Sequence, residues 1–145
     1  MIKLHHACIT VSNMDQALAF YRDILGFKAV MDFEVSGEEW DRIFEYKGVR
    51  ARLVYFEEGL ELTQVYSPDD GKPLDARPWD HGYTFLILDV DDLEKTYATL
   101  LDRGAKFFAP PQLPKVGLPN LGKAKVAHLR APDGVRISLL EWPKK

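Results

Sequence analysis

An internal repeat narrows what this chain can become more than any other feature of the sequence. Residues His6–Asp15 and Phe85–Glu94 run through the same order of residue types: a short β-type run, a polar turn, then the start of a helix. Ser12 or Asn13 in the first copy, and Asp91 or Asp92 in the second, are placed to cap the free amides of those helices. Apolar residues then recur at spacings of three and four, the period of a helix with one buried face. Met14, Leu18, Tyr21, Ile24 and Leu25 mark the first helix, and Leu93, Tyr97, Leu100 and Leu101 the second. Both stop at a glycine, Gly26 and Gly104, where a left-handed cap costs least.

After each helix the pattern turns to strands. The first half predicts strands near Phe27–Phe33, Arg52–Phe56 and Leu60–Tyr66. The second predicts them at Lys106–Phe108, Lys125–Arg130 and Arg136–Glu141. Glu57–Gly59 and Ala131–Gly134 read as the matching hairpin turns. The expected fold is therefore α+β: two βαβββ modules in one chain, forming a shared curved sheet with a central cleft. Residues 1–145 make one domain, with module one at 1–66, a Pro- and Asp-rich linker at 67–80 and module two at 81–145. Exchange of halves between two chains is an equally permitted arrangement. Pro110–Gly122, with four prolines and two glycines, reads as a mobile flap rather than a regular element.

Bulk composition excludes several classes of function. The 145 residues are 46% hydrophobic and 28% charged, with a net charge of -3, ordinary values for a chain of this size. Weak acidity argues against a nucleic-acid partner. No apolar run approaches the ~20 residues of a membrane span, and no signal-peptide block opens the chain. The single cysteine, Cys8, cannot close an internal disulfide and reads as a small core residue, so a reducing, cytoplasmic setting is expected.

His6 and Val11, followed by Ala17–Phe27 (ALAFYRDILGF), resemble the opening of vicinal oxygen chelate proteins, the superfamily of glyoxalases, bleomycin resistance proteins and extradiol dioxygenases. Glu61-Leu62-Thr63 resembles the strand that closes the first module of that family. Pro132-Asp133-Gly134 with Ile137 and Leu139 resembles its closing hairpin. The resemblance spans the chain from His6 to Glu141. It implies the fold more strongly than a reaction, because many chemistries share this scaffold.

In metal-dependent members, four strand positions supply ligands. By position these are His6 and Glu61 in module one, and Phe85 and Ser138 in module two. Phe85 has no donor and a serine hydroxyl is a weak ligand, so half the expected site is absent and these two line the cleft instead. His128 lies on the penultimate strand, on one face with Val126 and Arg130. A trio of His6, Glu61 and His128 would give three ligands, the number a catalytic zinc site uses. His81 enters the picture only if its strand starts early. His5 is expected to point to the opposite face from His6. Glu34–Tyr46 holds five acids and reads as a loop or short helix over the cleft, with Trp40, Phe44 and Tyr46 as possible pocket residues. Arg130 and Arg136 read as surface residues paired with carboxylates, with anion recognition as the alternative.

Three functions compete. One is a metal-free or degenerate cleft that binds or transforms a small apolar or aromatic molecule. Another is an isomerase, epimerase or lyase of the glyoxalase type, with a divalent metal (Zn, Ni, Mn or Fe) and with Glu61 or His128 moving a proton. The last is an extradiol dioxygenase using ferrous iron. In each the partner is a small molecule, with no nucleic acid and no membrane, and the expected assembly is a homodimer.

Overall fold

The structure, a computed structural model, describes residues 1–117, 119 and 122–144. Leu118, Asn120 and Leu121 of the expected flap, and Lys145, lie outside the described residues. The chain divides into two units, Met1–Leu74 and Asp75–Lys145, and the break falls inside the linker expected at 67–80.

The first unit holds β1 (Ala7–Thr10), α1 (Met14–Leu18), β2 (Ala29–Ser36), α2 (Glu38–Phe44), β3 (Arg50–Phe56) and β4 (Leu60–Ser67). Its four-stranded sheet runs β1-β4-β3-β2, with β1 parallel to β4 and the other pairs antiparallel. The second unit holds β5 (Phe85–Asp89), α3 (Leu93–Asp102), β6 (Lys106–Phe107), β7 (Lys125–Arg130) and β8 (Arg136–Glu141). Its sheet runs β5-β8-β7-β6 with the same parallel first pair. The α+β class and the repeated module are as the sequence predicts, and each module carries its own sheet.

Hydrogen bonds repeat along with the strands. The Val11 amide donates to Thr63 O at 2.8 Å, and the Val90 amide donates to Leu140 O at 2.8 Å. One residue further along, side chains of β4 and β8 reach back to the first helical amides. Gln64 Oε1 accepts from Met14 N at 2.7 Å, and Glu141 Oε2 accepts from Leu93 N at 2.6 Å. Asn13 and Asp92, rather than Ser12 and Asp91, are the helix caps, accepting from Gln16 N and Lys95 N. The α1 segment continues through a wider π-helical turn, Ala19–Ile24, before Gly26 ends it at φ +83°. Gly104 ends α3 at φ +92°, the left-handed conformation that favours glycine.

Strand alternation divides the side chains of each sheet between two faces, and the face toward the helix carries most of the core. In the first unit, Leu62, Val54 and Phe56 point toward Met14, Ala17 and Tyr21 of the helical segment, and all are buried. Tyr21, Phe27 and Phe56 meet as tilted and edge-to-face rings. In the second, Leu129, Ile137 and Leu139 are buried on the side of Leu93 and Leu100, and Tyr97 meets Phe107 edge-to-face. Each such aliphatic side chain contributes about 1.5–3 kcal/mol by leaving water.

Several strand boundaries differ from expectation by one to three residues. β2 runs three residues past Phe33, to Ser36, and pairs with β3 as far as Arg50. The acidic stretch therefore begins as strand, and only Glu38–Phe44 is helix. Trp40 of that helix packs on Val35, Ala51 and Leu53, so it covers part of the sheet face opposite α1. β6 ends at Phe107, although the Phe108 amide still donates to His128 O at 2.9 Å.

Candidate functional site

The cross-strand register fixes which side chains share the face opposite α1. Cys8 pairs with Glu61, Thr10 with Thr63, and Tyr55 with Glu61 from the other side. His6, just ahead of β1, joins them. Its Nε2 lies 2.8 Å from Glu61 Oε2, with side chains 29% and 17% exposed. The other carboxylate oxygen, Oε1, accepts from the Thr63 hydroxyl at 3.3 Å and from the Cys8 thiol at 3.8 Å. Tyr55 stands edge-on to the His6 ring. Glu61 is thus directed away from the core and held by protein donors, as a half-buried carboxylate requires.

His5 and Cys8 depart from the sequence reading. His5 does not turn to the opposite face: its Nδ1 is 2.6 Å from His6 Nδ1, and its ring lies 6.0 Å from that of Tyr55. Strand alternation does not reach it, because β1 begins at Ala7. The two distances are satisfied together when His5 donates from Nδ1 to His6, and His6 donates from Nε2 to Glu61. Cys8 is exposed on the site face rather than buried in the core. Burial of its sulfur raises the thiol pKa, and Glu61 adds to that, outweighing the lowering by Thr63. The thiol therefore stays protonated at neutral pH and is a poor nucleophile.

The second unit places different chemistry at the same points. The matched ladder bonds of Val11 and Val90 align Glu61 with Ser138, Cys8 with Ile87 and His6 with Phe85. Ser138 is buried, and its Oγ is 2.9 Å from His128 Nδ1. Phe85 is 39% exposed on the same face, opposite α3. His128 lies on that face with Val126 and Arg130, as expected. His81 precedes β5 and is exposed outside the strand.

These residues only partly suit a metal. His6 and Glu61 are donor types that divalent ions accept, but a catalytic zinc site takes three protein ligands. The first unit brings two, Phe85 offers none, and Ser138 is engaged by His128. Among the described residues, no group of three or more His, Cys, Asp or Glu side chains is gathered as an ion would need. Two open surface depressions lie elsewhere on the first unit, one at Ser36–Trp40 and Arg42, the other at Tyr46 and Tyr66–Asp70. Trp40 and Tyr46 line them, as the sequence allowed, but His6 and Glu61 do not.

Residues 3–139 match the family model of the Glyoxalase/Bleomycin resistance protein/Dioxygenase superfamily. The chain belongs to this superfamily. It is 26% identical over 142 residues to a probable lactoylglutathione lyase of Synechocystis sp., covering 98% of this chain and 97% of that protein. It is 25% identical to the lactoylglutathione lyase of Haemophilus influenzae, covering 97% and 93%. A glyoxalase family protein of Bacillus cereus has the same fold, with a TM-score of 0.74 at 20% identity over 99% of this chain and 96% of that one. Among the described residues no helix is long and apolar enough to cross a membrane.

Proposed function

We infer that this glyoxalase-like chain binds a small molecule with an apolar or aromatic body, and that Glu61 exchanges a proton with it without a resident metal. The contrast between the two halves carries this reading. His6 and Glu61 form a hydrogen-bonded pair, whereas the corresponding second-unit positions are Phe85, which has no donor, and Ser138, which is bonded to His128. Glu61 is the proton acceptor. His6, Thr63 and Cys8 orient its two oxygens, and His6 is a positioning residue in this scheme. In the second unit, Phe85 and Ile87 are exposed apolar side chains of the kind that favours an apolar or aromatic ligand. A homodimer is part of the proposal. The edge strand β2 exposes Val30, Met31 and Phe33, a surface that favours pairing with a second copy. Light scattering after size exclusion tests that point.

A second reading is a divalent-metal-dependent lyase, isomerase or epimerase. The likeness to lactoylglutathione lyases favours it, and His6 and Glu61 are the donors that the first unit supplies. Metal analysis and melting separate the two. Protein purified without a polyhistidine tag is melted with Zn2+, Ni2+, Co2+, Mn2+ and Fe2+. A specific ion at 100 times its Kd would add about 2.7 kcal/mol of stability. We expect no stoichiometric metal and no rise in Tm. A rise that disappears in both His6→Ala and Glu61→Gln would overturn the metal-free reading.

A further inference from the structure

The face opposite α3 carries a row of cations that, among the described residues, have no carboxylate partner. The register places Lys106 beside Arg130, Arg130 beside Arg136, and Arg136 beside Phe85, one residue from each strand of the sheet. Like charges directly opposite one another destabilise a sheet. Lys106 lies on the edge strand β6, where a lysine deters unwanted pairing. Arg130 and Arg136 lie on the inner strands β7 and β8, so edge protection does not account for them. Among the described residues neither forms an ion pair with a carboxylate, contrary to the sequence expectation. Both guanidiniums instead stack on Phe108, at 4.9 and 4.7 Å from its ring centre. Stacking fixes two planar forks while leaving N–H donors free. The next row holds Ile87, Ser138 and His128, with exposed apolar surface at Ile87, Phe85 and Phe108. Asp89, two rows away, accepts from the Trp142 indole at 2.9 Å.

We propose that Arg130 and Arg136 form an anion subsite for a small molecule that carries a carboxylate on an aromatic or apolar body. The carboxylate lies against the two guanidiniums, and the body lies on Phe85 and Ile87. The apolar half of this assignment rests on the function inferred above; the cationic half stands on this face alone. Arg is suited to the task because its fork matches a planar carboxylate in a bidentate way.

The test is titration of the full chain with benzoate, benzamide and inorganic phosphate, followed by calorimetry and by amide shifts. Benzoate is expected to bind saturably and more tightly than either other probe. An Arg130→Gln, Arg136→Gln double variant should bind benzoate at least tenfold more weakly. Its Tm should be unchanged or higher, since two like charges are removed from adjoining positions. Equal benzoate affinity in wild type and double variant overturns the subsite. Equal binding of benzamide and benzoate also overturns it but leaves the apolar ligand class intact. Arginine-dependent phosphate binding with no gain for benzoate overturns the apolar body and keeps the anion contact. No saturable binding of any probe overturns both.

Discussion

His6 and Glu61 are joined at 2.8 Å across 55 positions of sequence, on the sheet face that takes no part in the α1 core. Stability and function should therefore separate here. Glu61→Gln and His6→Ala are expected to lower ligand affinity or turnover at least tenfold, with a loss of stability below about 1 kcal/mol. Leu62→Ala, one residue away on the buried face, should cost about 2–5 kcal/mol through the cavity it leaves. Thermal melts beside a binding assay check both. A Glu61→Gln protein that loses as much stability as Leu62→Ala would show that the pair is structural.

Cys8 gives a chemical readout of the same network. Its thiol pKa is raised, chiefly by burial and further by Glu61, so thiolate forms only at more alkaline pH than usual. Iodoacetamide should label Cys8 more slowly at pH 7 than it labels a small free thiol, despite the exposure of the residue. The rate should climb with pH, and Glu61→Gln should speed labelling by removing the carboxylate charge. Labelling as fast as a free thiol would mean that His6 activates the sulfur.

Arg52 grips Asp32 with two hydrogen bonds, 2.9 and 2.7 Å, across β2 and β3. The Arg52 hydrogen bond holds the Asp32 carboxyl below its ordinary range, against the opposing effect of burial. A carboxylate with a lowered folded-state pKa stabilises the fold above its unfolded value, about 3.9. That contribution disappears as pH falls through the folded value. Asp32 is 49% exposed, so solvent screening limits the effect to about 1 kcal/mol or less. Asp32→Asn should lower Tm slightly at pH 7, and the difference should shrink and vanish as pH falls through the lowered folded-state value. A gap that persists in acid would mean that packing, not charge, is what the substitution disturbs.

Gln64 and Glu141 offer a test of the repeat itself. Each bonds the first amide of its own unit's helix. Gln64→Ala and Glu141→Ala should each cost about 0.5–2 kcal/mol, the range for lost helix caps. Chemical denaturation measures both, and a loss in one with none in the other would break the equivalence of the halves.

Much of the fold was legible because it is written locally. Caps at Asn13 and Asp92, glycine stops at Gly26 and Gly104, and the turns at Gly59 and Gly134 each lie within a few residues of what they control. The resemblance picks out His6 and Glu61 as ligands; that they meet in a hydrogen bond is seen only in the structure. What escaped depends on exact strand limits and on pairing between distant segments. Alternation misplaces His5 because it lies two residues before β1 begins at Ala7. Cys8 was read as core because its neighbours are apolar, whereas its face is set by its pairing with Glu61. The juxtaposition of Arg130 and Arg136 around Phe108 depends on the β6-β7-β8 register, which no local pattern specifies.

Each sheet turns its main packed side toward α1 or α3, and the candidate site residues lie on the other side, which in the first unit Trp40 also partly covers. A substitution at His6, Glu61 or Phe85 is thus expected to disturb folding little, since these side chains are at least partly exposed and the buried residues alternate with them. Two such faces in one chain provide duplicate ground for change: one half can hold an existing activity while the other drifts. The first unit presents an imidazole and a carboxylate, and the second an aromatic ring and arginines. An engineer seeking new specificity in this scaffold would do well to vary the second face first.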